Sequence, residues 1–344
     1  MKRMAIEFFV CTHYRNMNTI GTMQSCFNKA GKSPEYATFS SITATTAPAS
    51  MVKVLNVSAH YATGINFSSA VDVSKTKMIL TSANSDKILY SKCVFGVWSA
   101  PVVLLTLPNT SAYCCCSMSH NGTIAMISTP ANGGTIYTVN WTGANPTIVA
   151  SDTTTAGNYV MCSVSHDGLY ALVAQDKHPS FYSTTYNTTT NKYNTLVSCL
   201  GQNSSYICNG GLYLLPSHDG FLWNSALQNY TMSYLPFNKA TNTIGVTKTI
   251  ETLGSTGDRG FVGVGNGELN NPSFIIYTSS GVGSFNTYYA PWNDTTKTLG
   301  TRVPIITSGQ TNLAQQYMLQ NGADGKTIYY CSSAGVYVIN LTVT

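Results

Sequence analysis

Half of the histidines in this 344-residue sequence stand in one recurring setting: His120, His166 and His218 share a position in residues 113–122 (YCCCSMSHNG), 159–168 (YVMCSVSHDG) and 211–220 (GLYLLPSHDG). Neutral imidazoles are common zinc ligands, so three at a repeated position suggest a metal ring. The spacing argues otherwise. The segments start 46 and 52 residues apart, which puts each histidine in its own structural unit. Equivalent positions on neighbouring units stand too far apart for three nitrogens to meet one ion at about 2.1 Å. A packing or turn-capping role is expected, with no metal.

Asp167, Asp219 and Asp324 directly precede Gly168, Gly220 and Gly325, as Asn121 precedes Gly122. Short polar side chains at such places bond nearby backbone amides, which makes them turn residues. The remaining carboxylates are Glu7, Glu35, Asp72, Asp86, Asp152, Asp176, Glu251, Asp258, Glu268 and Asp294, and no two form a recognisable acid–base pair. Nucleophile-elbow, zinc-protease and phosphate-loop motifs are absent from the sequence. The expectation is a protein that is not an enzyme and carries no cofactor.

None of the ten cysteines forms a C-x-x-C pair, so their spacing speaks against a zinc ribbon. Most lie in apolar runs, where a thiol packs as a small hydrophobe. Cys199 and Cys208 bracket a polar stretch and could close a short disulfide loop. Glycosylation sequons occur at Asn56, Asn66, Asn109, Asn121, Asn140, Asn187, Asn203, Asn229, Asn293 and Asn340. That number is near what chance gives in a chain so rich in Asn, Ser and Thr, so these stand as candidates only.

Only 9% of the residues are charged, against about 25% in an ordinary soluble domain, so the polar surface must come from Asn, Ser, Thr, Gly and Tyr. A surface without charge resists association poorly, which suits an assembly, a coat or an adhesive face. The net charge of +5 is carried by scattered Lys and Arg that form no stripe, which argues against nucleic acid as a partner. No run approaches the roughly 20 apolar residues that span a bilayer. Residues 5–11 follow Lys2 and Arg3 like a signal peptide, but Glu7 interrupts them and no cleavage site follows.

The elements that position these residues follow from the repeat. A fourth copy, residues 316–325 (QYMLQNGADG), keeps the Asp-Gly; a degenerate copy lies near residues 260–267 and another, without its glycine, at residues 67–77 (FSSAVDVSKTK). Each unit reads as strand, tight Asn-Gly or Asp-Gly turn, strand, loop, strand, loop, strand. In the unit from Tyr159 the strands are expected at 159–165, 169–175, 180–186 and 193–199. Second strands such as LYALVAQ from Leu169 and TIAMIST from Thr123 are apolar on both faces, which requires cover on both sides. Four-stranded units standing in a radial array provide it.

The expected fold is all-β, a six-bladed β-propeller, with seven blades as the alternative. The last copy supplies only three strands, and residues 51–57 (MVKVLNV) form a strand with no unit of its own. That strand is expected to pair with the C-terminal blade and remove two raw edges. Residues 1–50 then form an arm and linker, and residues 51–344 the propeller. The arm includes a β-prone run, residues 7–12 (EFFVCT), suited to pairing with an edge of its own or a neighbouring subunit.

The Ser-His-Asp-Gly turns resemble the S-x-D-G turns of TolB-type and WD-like (YVTN-like) β-propellers, with His in place of the usual Pro. The resemblance implies the fold and leaves the function open. In such a fold the face opposite the Asp-Gly turns would carry His60, Asp86, Asp152, Asp176, His178, Asp258 and Arg259, the candidate binding residues. The composition points to a structural or adhesive subunit of an extracellular filament, coat or virion, associating with itself or another coat protein through residues 1–50. A glycan-binding propeller is the alternative, and a propeller hydrolase or lactonase using Asp152 or Asp258 a third.

Overall fold

The computed structural model describes residues 42–43, 52–61, 67–72, 74–82, 85–111, 114–129, 134–152, 159–175, 181–201, 208–215, 217–225, 231–252, 261–265, 274–281, 284–306, 319–321, 327–332, 335–340 and 342–343. Every regular element among them is a strand. No helix is long and apolar enough to cross a membrane among these residues.

Two short strands, β1 (Ile42–Thr43) and β2 (Val52–Leu55), precede the repeats. The first sheet is β3 (Phe67–Val71), β4 (Lys77–Ser82), β5 (Ser85–Val94), β6 (Val97–Trp98) and β7 (Val102–Ser111). The second is β8 (Cys115–Met118), β9 (Ile124–Thr129), β10 (Thr135–Asn140) and β11 (Thr147–Asp152). The third is β12 (Tyr159–Val164), β13 (Tyr170–Gln175), β14 (Phe181–Asn187), β15 (Lys192–Tyr193) and β16 (Val197–Ser198). The fourth is β17 (Cys208–Leu214), β18 (Gly220–Ser225), β19 (Thr231–Asn238), β20 (Thr243–Ile244) and β21 (Lys248–Thr252). The fifth is β22 (Phe261–Gly265), β23 (Phe274–Gly281), β24 (Ser284–Asn293), β25 (Thr298–Leu299) and β26 (Val303–Ile306). The last copy gives β27 (Leu319–Asn321), β28 (Thr327–Ser332) and β29 (Gly335–Asn340), followed by β30 (Thr342–Val343).

The sixth sheet takes its fourth strand from near the chain start: β2 pairs antiparallel with β29, Val52 opposite Val338 and Lys53 opposite Tyr337. A second pairing joins β1 to β30, so residues 42–43, inside the stretch read as a linker, are strand. The first strands lie side by side in the order β3, β8, β12, β17, β22, β27, and β27 returns to β3. The described residues thus form a circle of antiparallel sheets, a β-propeller.

The apolar cores lie between neighbouring sheets, as the doubly apolar second strands require. All of β9 is buried, as is β13 up to Ala174. One cluster joins Met126, Val173, Phe181 and Trp223 across the second, third and fourth sheets, and another joins Leu55 and Tyr329 of the sixth sheet to Met78 and Leu80 of the first. Truncating one such residue, fully buried Leu172, to Ala costs about 2–5 kcal/mol.

One expected strand is interrupted. Residues 193–199 give only the two short pairings of β15 and β16. Between them the backbone turns to other partners: Leu196 N donates to Asp152 Oδ2 in the second sheet, and Asn194 O accepts from Thr184 Oγ1.

Candidate functional site

The turns joining first to second strands define one face of the circle. In the second and third sheets they share one design. Ser119 N donates to Ile124 O and Gly122 N to Ser119 O; Ser165 N donates to Tyr170 O and Gly168 N to Ser165 O. Each serine hydroxyl accepts from the amide five residues on and donates to the Asn121 or Asp167 side chain. The glycines sit at φ 67° and 78°, a region that L side chains avoid. The first sheet makes the same turn without glycine. Asp72 N donates to Lys77 O and Lys75 N to Asp72 O, Lys75 takes φ 56°, and the buried Asp72 carboxylate accepts from Thr76 N (2.7 Å) and Lys77 N (2.8 Å).

The fourth sheet corrects the gapless alignment. Leu215 N donates to Gly220 O and His218 N to Leu215 O, so the turn begins at Leu215, two residues earlier than the matched letters imply. His218, at φ 57°, fills the place of Gly122 and Gly168. Only His120 and His166 are structurally equivalent. Gly220 is not a left-handed turn glycine; it opens β18, where a Cβ would fall 2.3 Å from the Tyr234 ring. Asp219 accepts from Ser217 Oγ (2.6 Å) and pairs with Lys297 of the fifth sheet (2.8 Å). Asp324 and Gly325 lie outside the described residues.

The histidines nevertheless form a row. The His120 and His166 rings are 4.9 Å apart at 34°, and His120 N donates to His166 O. Burial lowers the pKa of all three, that of His166 to about 4, and the charges that His120 and His218 would carry lower it further. His166 Nδ1 is buried without a hydrogen-bond partner among the described residues. Burial pushes Asp167 up, but the Ser165 hydroxyl, the Leu169 amide and the His218 and Lys239 charges outweigh it and hold this carboxyl below its ordinary range. Neutral imidazoles packed on one another bind sheet to sheet; they are poorly placed to carry protons near pH 7. No group of three His, Cys, Asp or Glu is positioned for a metal ion among the described residues.

On the opposite face the candidates are dispersed. His60, in the connection from β2 to β3, lies 3.2 Å from Pro101 O. Asp86 is the half-buried second residue of β5. Asp152 ends β11, is only 4% exposed, and accepts from Leu196 N at 2.9 Å, so its carboxylate ties the second sheet to the third. Asp176, His178, Asp258 and Arg259 lie outside the described residues, as do residues 7–12. Burial pushes the Cys199 thiol up to about 12; Cys208 shows only its backbone, in β17, and its side chain lies outside the described residues.

Among the sequons, Asn121, Asn187 and Asn293 accept backbone amides, Asn56 accepts from Ser58 N, and Asn140 donates to Asn191 O. Asn66, Asn203 and Asn229 lie outside the described residues, as do the side chains of Asn109 and Asn340.

Two features escape a reading based on Asp-Gly turns. A second repeated loop joins third to fourth strands: Asn187, Asn238 and Asn293 each cap it, and Asn191, Asn242 and Lys297 close it at positive φ. Its sequence signal was the spacing N-T-T-T-N, N-K-A-T-N and N-D-T-T-K. Apolar side chains also stand in solvent, at the tip of the β5–β6 hairpin and beside the junction of the third and fourth sheets.

No family model and no curated protein matches the sequence. Similar solved structures exist. Kuenenia stuttgartiensis hydrazine synthase aligns with a TM-score of 0.53 at 12% identity over 78% of this chain and 74% of that one. The nidogen/laminin complex aligns at 0.51 and 10% identity, over 75% and 85%. A protein from Lactobacillus plantarum aligns at 0.51 and 9% identity, over 80% and 83%. Likeness at such identities concerns the fold alone, the β-propeller.

Proposed function

We propose that this propeller is a non-enzymatic structural or adhesive subunit of an extracellular filament, coat or virion, associating through its outer edges. The observation that carries this reading is an apolar surface at the junction of the third and fourth sheets. Leu200 bridges to Thr243, and Ile244 N donates to Leu200 O. Beside this junction Leu200 is 62% and Val246 90% exposed, and Val197 is exposed as well. With 9% charged residues in the chain, little electrostatic repulsion opposes contact there. The use of Asp152 as an inter-sheet fastener supports a role without catalysis. Native mass measured over a dilution series tests the reading. Concentration-dependent species larger than 37.0 kDa that disappear in Val246→Lys support it; a particle that stays monomeric throughout overturns it.

A further inference from the structure

We propose that the rim of the first sheet, at the tip of the β5–β6 hairpin, is a docking site for an anionic lipid surface. Val94 pairs with Val97, leaving a two-residue turn in which Phe95 takes φ 52° and Gly96 φ 80°. Turns with both central residues at positive φ favour Asn-Gly or Gly-Gly. Phe is a poor choice there on two counts, since the left-handed region disfavours a bulky side chain and water disfavours an exposed ring. Phe95 is nevertheless 100% exposed, with Val97 at 72% and Val94 at 59% beside it. A position that opposes folding twice over is where a function outside folding is expected.

The surroundings supply charge of one sign. β6 lies against β2, which brings exposed Val52 and Lys53 to the same rim. The turn that holds Lys75 borders the hairpin, because Cys93 N donates to Thr76 O at 2.8 Å. Lys92 precedes the tip and reaches Asn145 Oδ1 at 3.2 Å. Asp72, the carboxylate whose charge reaches Cys93 beside the tip, is buried, and both its oxygens accept hydrogen bonds from Thr76 or Lys77. The rim therefore presents an apolar point set among lysines.

A convex tip whose ring is bare on every side fits a medium that surrounds it better than it fits a rigid pocket. A Cβ built on Gly96 would likewise meet nothing within 4 Å. The headgroup–acyl boundary is such a medium, and anionic headgroups answer the lysines. This surface is separate from the Leu200–Val246 junction, so lipid docking and self-association can fail independently.

Flotation of the full chain with vesicles of phosphatidylserine in phosphatidylcholine tests the proposal. The wild type is expected to float with these vesicles and to remain behind with phosphatidylcholine alone. Phe95→Asn keeps a residue that tolerates positive φ, so the turn persists, and it should lower the floated fraction about tenfold. Val246→Lys should float like the wild type. Failure of the wild type to float overturns the proposal, as does equal flotation of Phe95→Asn. So does a wild-type dimer, lost in Phe95→Asn, that forms without vesicles and does not float, since the tip would then be a protein contact.

Discussion

Acid should loosen the turn face, and His166 sets the amount. Its pKa falls from the ordinary 6.5 to about 4 in the folded chain, chiefly through burial and then through His120 and His218. An unfolded chain takes up this proton as the pH drops through about 6.5, whereas the folded chain takes it up only near 4. The stabilisation is therefore complete above about pH 6.5 and is lost progressively down to about pH 4. At about 1.4 kcal/mol per pH unit the loss is on the order of 3 kcal/mol. His120 and His218 are lowered as well and act in the same direction. Asp167, held low, adds its own loss only at more acid pH. Urea denaturation at intervals between pH 7.5 and pH 4, on the wild type and on His166→Phe, measures the effect. The wild type should weaken steadily across the interval, and the variant, with no group to protonate at that site, should show a shallower slope by about that amount. Equal slopes, or a wild type that gains stability on acidification, would refute the reasoning.

Three further predictions concern the turns. Gly122→Ala, at φ 67° and with its new Cβ 2.5 Å from the Asp72 Cβ, should lose about 2–3 kcal/mol in thermal denaturation. Gly220→Ala should lose a similar amount against Tyr234, whereas His218→Ala, already left-handed, should stay within about 1 kcal/mol of wild type; the reverse order would restore the gapless alignment. Asp72→Ala strips the acceptor from Thr76 N and Lys77 N and should lower stability by about 2–4 kcal/mol, read from the same melts.

The circle of sheets was legible because its cause is local and repeated. Asn121-Gly122 and Asp167-Gly168 announce tight turns, and the doubly apolar strands behind them demand a sheet on either side. The spare strand at residues 51–57 was legible by elimination, since the final copy lacked one. The two-residue slip in the fourth sheet was not, because Ser-His-Asp-Gly matches by letter while backbone hydrogen bonds decide by geometry. Apolar letters follow both glycines directly, so only the strand starts separate them: β13 begins two residues after Gly168, and β18 at Gly220 itself. Asp152 read as a pocket acid because its partner, Leu196 N, belongs to another sheet and to a strand that breaks to reach it. The Phe95 tip is not legible in the sequence because Val-Phe-Gly-Val resembles a continuing strand, and only the positive φ of Phe95 makes it a turn.

The closing strand is most directly tested by amide hydrogen exchange on the native protein. With β2 hydrogen-bonded to β29, a peptide spanning residues 52–55 should exchange as slowly as β11, the outer strand of the second sheet, and slow further opening should expose both only in the global transition. Exchange of residues 52–55 at the rate of free peptide, while β28 and β29 stay protected, would contradict the ring.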